Sequence, residues 1–188
     1  MSVVSVPERM RISADRYQKM VETGVLTEYD RVELIDGDMI NMAPIGLSHA
    51  AVTARLNRLF VVSAGDSAIV SPGGSLKLGD YSMPQPDLML LKPRADFYAA
   101  HMPKAPDVLL LVEISESSLG FDQGAKRALY ARHGVAEYWV VDIPGKRVHV
   151  YREPTLDGYG EAFERTLAAT VSPRALPAIQ VTVGTLFA

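Results

Sequence analysis

Apolar positions along this chain follow two periodicities, and the change from one to the other marks out its elements. Val108 to Val112 is an unbroken apolar run that Glu113 closes, and Leu88 to Leu91 is a second, shorter one. Continuous runs of this kind predict strands covered on both faces, with Val108 to Ile114 as the central one. Where apolar residues recur at three and four, helices are predicted. Tyr17, Met20 and Val21 make one stripe between a Ser13 cap and Gly24. Val52, Leu56, Leu59 and Phe60 make a longer one, capped by Ser48 and running to about Ser63 before Gly65. A third helix is predicted from about Asp122 to His133, closed by Gly134. Asp36-Gly37 joins Arg31–Ile35 to Asp38–Met42 as a hairpin, because this dipeptide supplies the positive φ angles of a two-residue turn. Glu137–Asp142 and Arg147–Arg152, joined through Pro144-Gly145, form another. Shorter strands are expected at Ala68–Ser71, Leu76–Leu78, Phe163–Ala168 and Ile179–Val183. The succession predicts an α/β or α+β fold, a mixed sheet with helices on its faces.

Composition narrows the setting. With 188 residues, 48% hydrophobic and 22% charged, the chain fits one domain over 1–188, with a flexible amino-terminal stretch within 1–12. Cysteine is absent, which excludes disulfides, thiolate zinc sites and cysteine nucleophiles and fits a reducing, cytoplasmic setting. Met1 to Arg11 has no basic segment followed by an apolar stretch, so no secretory signal is expected. The longest apolar runs fall far below the ~20 residues of a membrane span, so a soluble protein with no membrane partner is expected. A net charge of −3 excludes a general polyanion binder. It does not exclude a nuclease, which needs only local basic groups and carries carboxylates that await a cation.

The candidate chemistry lies at the ends of the apolar runs. Asp87 opens the Leu88–Leu91 strand and Glu113 ends the central one. A buried carboxylate is costly unless it finds a counter-ion or metal, so Asp87 and Glu113 would meet at one sheet edge if their strands are antiparallel neighbours. Glu33 interrupts Val32, Leu34 and Ile35, either as an outward residue of an alternating strand or as a third acid. Lys126 either pairs with Asp122 on an exposed helix face or turns its ammonium back to the sheet. Together these groups match hydrolysis of a phosphodiester: a hard cation on oxygen ligands, the water it acidifies, and a positive group for charge developing on phosphate. His49 either faces the cleft or only caps its helix. His133 suits a helix C-terminus, and His101 and His149 stand alone. Motifs of zinc hydrolases, phosphate-binding P-loops and serine hydrolases are absent.

With those residues assembled, the chain resembles the Uma family of restriction-endonuclease-like proteins, in the PD-(D/E)XK nuclease superfamily. The resemblance rests on Val32-Glu33-Leu34-Ile35-Asp36-Gly37-Asp38, Gly46 with Ser48-His49, Pro86-Asp87-Leu88 and Val112-Glu113-Ile114-Ser115 with Ser117-Ser118. Asp122 with Lys126, Tyr130, and the run Gly134-Val135-Ala136-Glu137-Tyr138-Trp139-Val140-Val141-Asp142 complete it. It implies a restriction-endonuclease-like mixed central β-sheet flanked by helices. It also implies a metal site of Asp87 and Glu113, joined by the Ile114 carbonyl and with Glu33 as a further acid. The superfamily lysine stands two residues after the glutamate, where this chain has Ser115. Relocation to the next helix would make Lys126 its substitute. The function expected is Mg²⁺- or Mn²⁺-dependent hydrolysis of DNA. Asp87 and Glu113 would bind metal, Glu33 would hold a second ion or orient water, and Lys126 would position the nucleophile. His49, Arg55, Arg58 and Arg127 are candidate substrate contacts, and a homodimer is expected by analogy with nucleases that cut both strands. The alternatives are a non-catalytic nucleic-acid or protein-binding module on the same fold, and a phosphoesterase of another kind.

Overall fold

The computed structural model describes residues 9–27 and 29–188. Residues 1–8 of the stretch expected to be flexible lie outside the described residues. In chain order the elements begin with α1 (Ala14–Glu22), the hairpin β1 (Val32–Ile35) and β2 (Asp38–Asn41), and α2 (Leu47–Ala64). Next come β3 (Ile69–Pro72), β4 (Leu88–Leu91) and β5 (Val108–Ser115), then α3 (Leu119–Phe121), a π-helical turn (Asp122–Lys126) and α4 (Arg127–Arg132). The chain closes with β6 (Glu137–Asp142), β7 (Arg147–Thr155), β8 (Gly158–Thr166), β9 (Thr170–Val171) and β10 (Val181–Thr182). No helix among the described residues is long and apolar enough to cross a membrane.

Strands β3 to β8 form one six-stranded sheet in sequence order. Every neighbouring pair is antiparallel except β5 and β6, which run parallel. A parallel pair cannot be closed by a tight turn, and the helical segment 119–132 makes the crossover. The mixed, helix-flanked sheet predicted from the sequence is therefore the observed one. Side chains of a strand alternate between faces. Leu88, Leu90, Leu110, Val112 and Trp139 pack on one face against Val52, Leu56 and Phe60 of α2. Met89, Leu91, Leu111, Tyr138 and Val140 pack on the other against Leu129 and Tyr130 of α4. Burying each such leucine or valine contributes about 1.5–3 kcal/mol, so both faces hold the sheet flat against its helices. The same alternation puts Asp87, two residues before Met89, and Glu113, two after Leu111, on the α4 face.

Several elements depart from the sequence expectation. The long helix starts at Leu47 with Gly46 as its cap, and Ser48 lies inside it, making no capping bond. A Cβ at Gly46 would meet the end of the exposed Glu116 side chain, which would have to swing aside. Leu76 and Leu78 are buried without forming a strand, their segment held by single bridges from Lys77 to Lys104 and from Leu78 to Ser82. The third helix begins at Leu119, ahead of Asp122, and ends at Arg132. β8 reaches back to Gly158, and β10 is only Val181–Thr182. The Asp36-Gly37 turn forms as expected, with φ of 52° and 85°.

Candidate active site

Strands β4 and β5 are antiparallel neighbours with Leu88 opposite Val112, so Asp87 and Glu113 occupy the next positions outward on the same face. Asp87 Oδ2 accepts the Ile114 backbone N–H at 2.7 Å, which pins its carboxylate to the end of the central strand. In a strand the N–H and C=O of one residue point to the same side, so the Ile114 carbonyl is aimed at that edge too. Glu113 is 3% exposed. Its Oε1 accepts both the Lys126 ammonium, at 3.0 Å, and the Tyr130 hydroxyl, at 2.7 Å.

Lys126 is buried, and its Nζ lies 3.0 Å from Glu33 Oε1 as well as 3.0 Å from Glu113 Oε1. The exposed pairing with Asp122 is not formed. Asp122 is itself buried and accepts the hydroxyls of Ser115 at 2.6 Å and Ser118 at 2.5 Å. The π-helical turn brings this about, because its wider ring points both Asp122 and Lys126 inward, and such turns recur at functional sites. Ser115, in the position where a lysine was expected, therefore anchors the crossover helix while Lys126 reaches Glu113 from that helix. Glu33 arrives from the β1–β2 hairpin, and its second oxygen accepts the Gln85 N–H at 3.2 Å. Glu33 is thus buried and does not point outward from its strand.

The electrostatics follow from this crowding. Burial pushes the Glu113 carboxyl well above the ordinary glutamate range, Asp87, Asp122 and Glu33 push the same way, and Lys126 opposes them. Burial alone would disfavour the Lys126 ammonium. Glu113, Glu33 and Asp122 together outweigh that cost and hold its pKa above the usual lysine value. One ammonium thus serves two carboxylates, and the imbalance shows at Glu113 as a raised pKa, a preference for its protonated form unless a further cation arrives. His49 extends from the first turn of α2 and places Nε2 3.1 Å from Asp87 Oδ1. The hydrogen bond to Asp87 raises its pKa, against a smaller effect of burial.

These groups open on a cleft of about 280 Å³ lined by Asp87, Glu113, Ile114, Glu33, Lys126 and His49. The three candidate arginines are elsewhere. Arg55 donates to the Leu186 and Ala188 carbonyls, Arg127 stacks over Tyr151, and Arg58 does not line the cleft. Arg31, which the sequence did not single out, does line it. The family resemblance includes Tyr130 without giving it a role. Its spacing of four from Lys126 put it on the same helical face, the signal that could have assigned it.

Among the described residues no group of three or more His, Asp or Glu side chains is placed to hold a metal ion. The donor set still fits a hard divalent cation of the Mg²⁺ type, which commonly uses one or two carboxylates and fills its shell with water and substrate phosphate. Glu113 Oε2 accepts no hydrogen bond among the described residues, Asp87 stands beside it, and the Ile114 carbonyl adds a third oxygen. Surplus negative charge around Glu113 favours such a cation.

A family model described as "Uma2: Putative restriction endonuclease" matches residues 14–184. Among solved structures, a protein of Anabaena variabilis described as "a putative nuclease belonging to DUF820" is similar at a TM-score of 0.76. The two share 19% identity over 94% of this chain and 97% of that one, a likeness of fold. No curated protein matches the sequence significantly.

Proposed function

We propose, on the premise that this chain belongs to the Uma2 family of restriction-endonuclease-like proteins, that it is a metal-dependent endonuclease acting on DNA. The observation that carries this is the Asp87–Glu113 pair at one sheet edge with the Lys126 ammonium bridging Glu113 and Glu33. Asp87, Glu113 Oε2 and the Ile114 carbonyl would hold Mg²⁺ or Mn²⁺, which when bound would acidify a water and neutralise phosphate charge. Lys126, charged throughout the neutral range, stabilises negative charge developing on the phosphate and orients the nucleophile. Glu33 pairs with Lys126 and accepts the Gln85 N–H, so its first part in the proposal is to fix Lys126, with a second ion or the orientation of water as its further role. Tyr130 and Lys126 both hold Glu113 Oε1, which leaves Oε2 for the cation.

Incubation of the purified protein with plasmid, linear and single-stranded DNA and with RNA, in Mg²⁺ or Mn²⁺, tests this. Cleavage of DNA by the parent protein and its loss in Glu113→Ala are expected. Equal cleavage by the variant would overturn the site. Metal binding at Asp87 and Glu113 without cleavage of any substrate would favour the non-catalytic binding module instead.

A further inference from the structure

Asp87 stands where two clefts meet. On one side is the acidic cleft already described. On the other a larger cavity, about 840 Å³, runs between α1 and the β1–β2 hairpin and shares Arg31, Gln85, Met42, Ile45 and Asp87 with the first. Its walls differ in kind. The Tyr17 ring, Leu26 and Val32 make an apolar surface, and the Tyr17 hydroxyl is spent on the Val32 carbonyl at 2.8 Å. Tyr29 stands at the rim, 85% exposed.

We infer that this second cavity receives a nucleobase next to the phosphate held at Asp87 and Glu113, so that the substrate is single-stranded or locally unpaired DNA. The inference rests on the proposed nuclease function and names the substrate class of that same site. Three observations lead to it. A base is a flat apolar plate with polar edges, and an aliphatic and aromatic wall beside the Gln85 amide suits both parts. Arg31 lies at the junction of the two clefts, where the phosphate joining one nucleotide to the next would pass. Two of the three arginines expected to meet a backbone are engaged elsewhere, Arg55 at the Leu186 and Ala188 carbonyls and Arg127 over Tyr151. A base paired within a duplex offers no free face to this cavity, whereas an unpaired base can enter it and stack.

Fluorescence anisotropy on the full chain tests this, using a labelled 12-nucleotide single strand, its duplex, and the single strand carrying one abasic position, all in Ca²⁺ to suppress cleavage. The single strand should bind at least about tenfold more tightly than the duplex. Tyr29→Ala, at an exposed position that leaves the core intact, and the abasic position should each weaken single-strand binding about tenfold. Combined, they should weaken it little further, because both remove the same stacking. Equal or tighter duplex binding, an unchanged Tyr29→Ala, or fully additive losses would overturn the inference. Failure of the nuclease function reads out separately. Glu113→Ala that still cleaves would sink the nuclease site, whereas a protein that binds and cuts duplex as well as single strand would sink only the nucleobase cavity.

Discussion

Replacing Lys126 with methionine removes the ammonium that Glu33 and Glu113 share at 3.0 Å from each, within a group whose side chains are at most 7% exposed. At that separation and an effective dielectric of about 20, each contact is worth about 5.5 kcal/mol before the cost of desolvating the charges is subtracted. The net loss is capped, because an orphaned carboxylate can take up a proton. For an acid of ordinary pKa 4.5 that costs about 3.4 kcal/mol at pH 7 but only about 0.7 kcal/mol at pH 5. Lys126→Met should therefore destabilise the fold by about 3–5 kcal/mol at pH 7, as breaking a buried pair does, and by about 1–2 kcal/mol at pH 5. The sign follows from proton uptake. A carboxyl whose folded pKa is raised binds more protons folded than unfolded, so stability falls as pH rises above about 4.5, more steeply without Lys126. Urea unfolding followed by Trp139, the single tryptophan and fully buried, measures both values. The triple change Glu33→Gln, Lys126→Met, Glu113→Gln removes all three charges and should recover at least half of the loss at pH 7. A Lys126→Met protein within about 1 kcal/mol of the parent at pH 7, or equally destabilised at both pH values, would refute a buried charge triad.

Tyr130→Phe deletes one of two donors to Glu113 Oε1 and should cost about 1–2 kcal/mol of stability. If DNA cleavage is observed, the same change should lower kcat with KM little altered, which steady-state kinetics would separate. Asp87→Asn should return the His49 pKa toward 6.5, since the bond to Asp87 is the main cause of its rise. The stability from that pair is fully present below pH 6.5 and lost as pH rises through the raised value, so the variant should lose this slope in an NMR titration and matched unfolding series. Glu137→Gln serves as a control at a residue that does not line the cleft. Glu137 accepts from Trp139 Nε1, the Arg152 guanidinium and the Arg174 N–H, so the change should cost about 1.5–3 kcal/mol while the activity of the folded fraction stays at the parent level.

The sequence alone was enough to put Asp87 and Glu113 at the ends of their strands, while their meeting depended on the antiparallel pairing that the structure shows. A strand has a period of two, and an apolar run states which residues it buries, so a carboxylate at the end of such a run is legible without coordinates. The Asp36-Gly37 hairpin and the crossover helix were legible because each rests on contacts a few residues apart, and the mixed sheet because the succession of strands and helices restricts the layers they can form. Lys126 was not. A helix of regular period leaves its facing undecided between Asp122 and the sheet, and what settles it is the π-helical turn, which points Lys126 inward and brings Asp122 to Ser115 and Ser118. Nor did spacing show that Glu33 would cross from a separate hairpin to Lys126, that His49 would meet Asp87, or that Arg55 and Arg127 would turn from the cleft while Arg31 lined it. Local pattern decides which face of an element is apolar. Which distant element lies against a polar end of that face is decided by packing the whole sheet, and only the tertiary structure records the outcome.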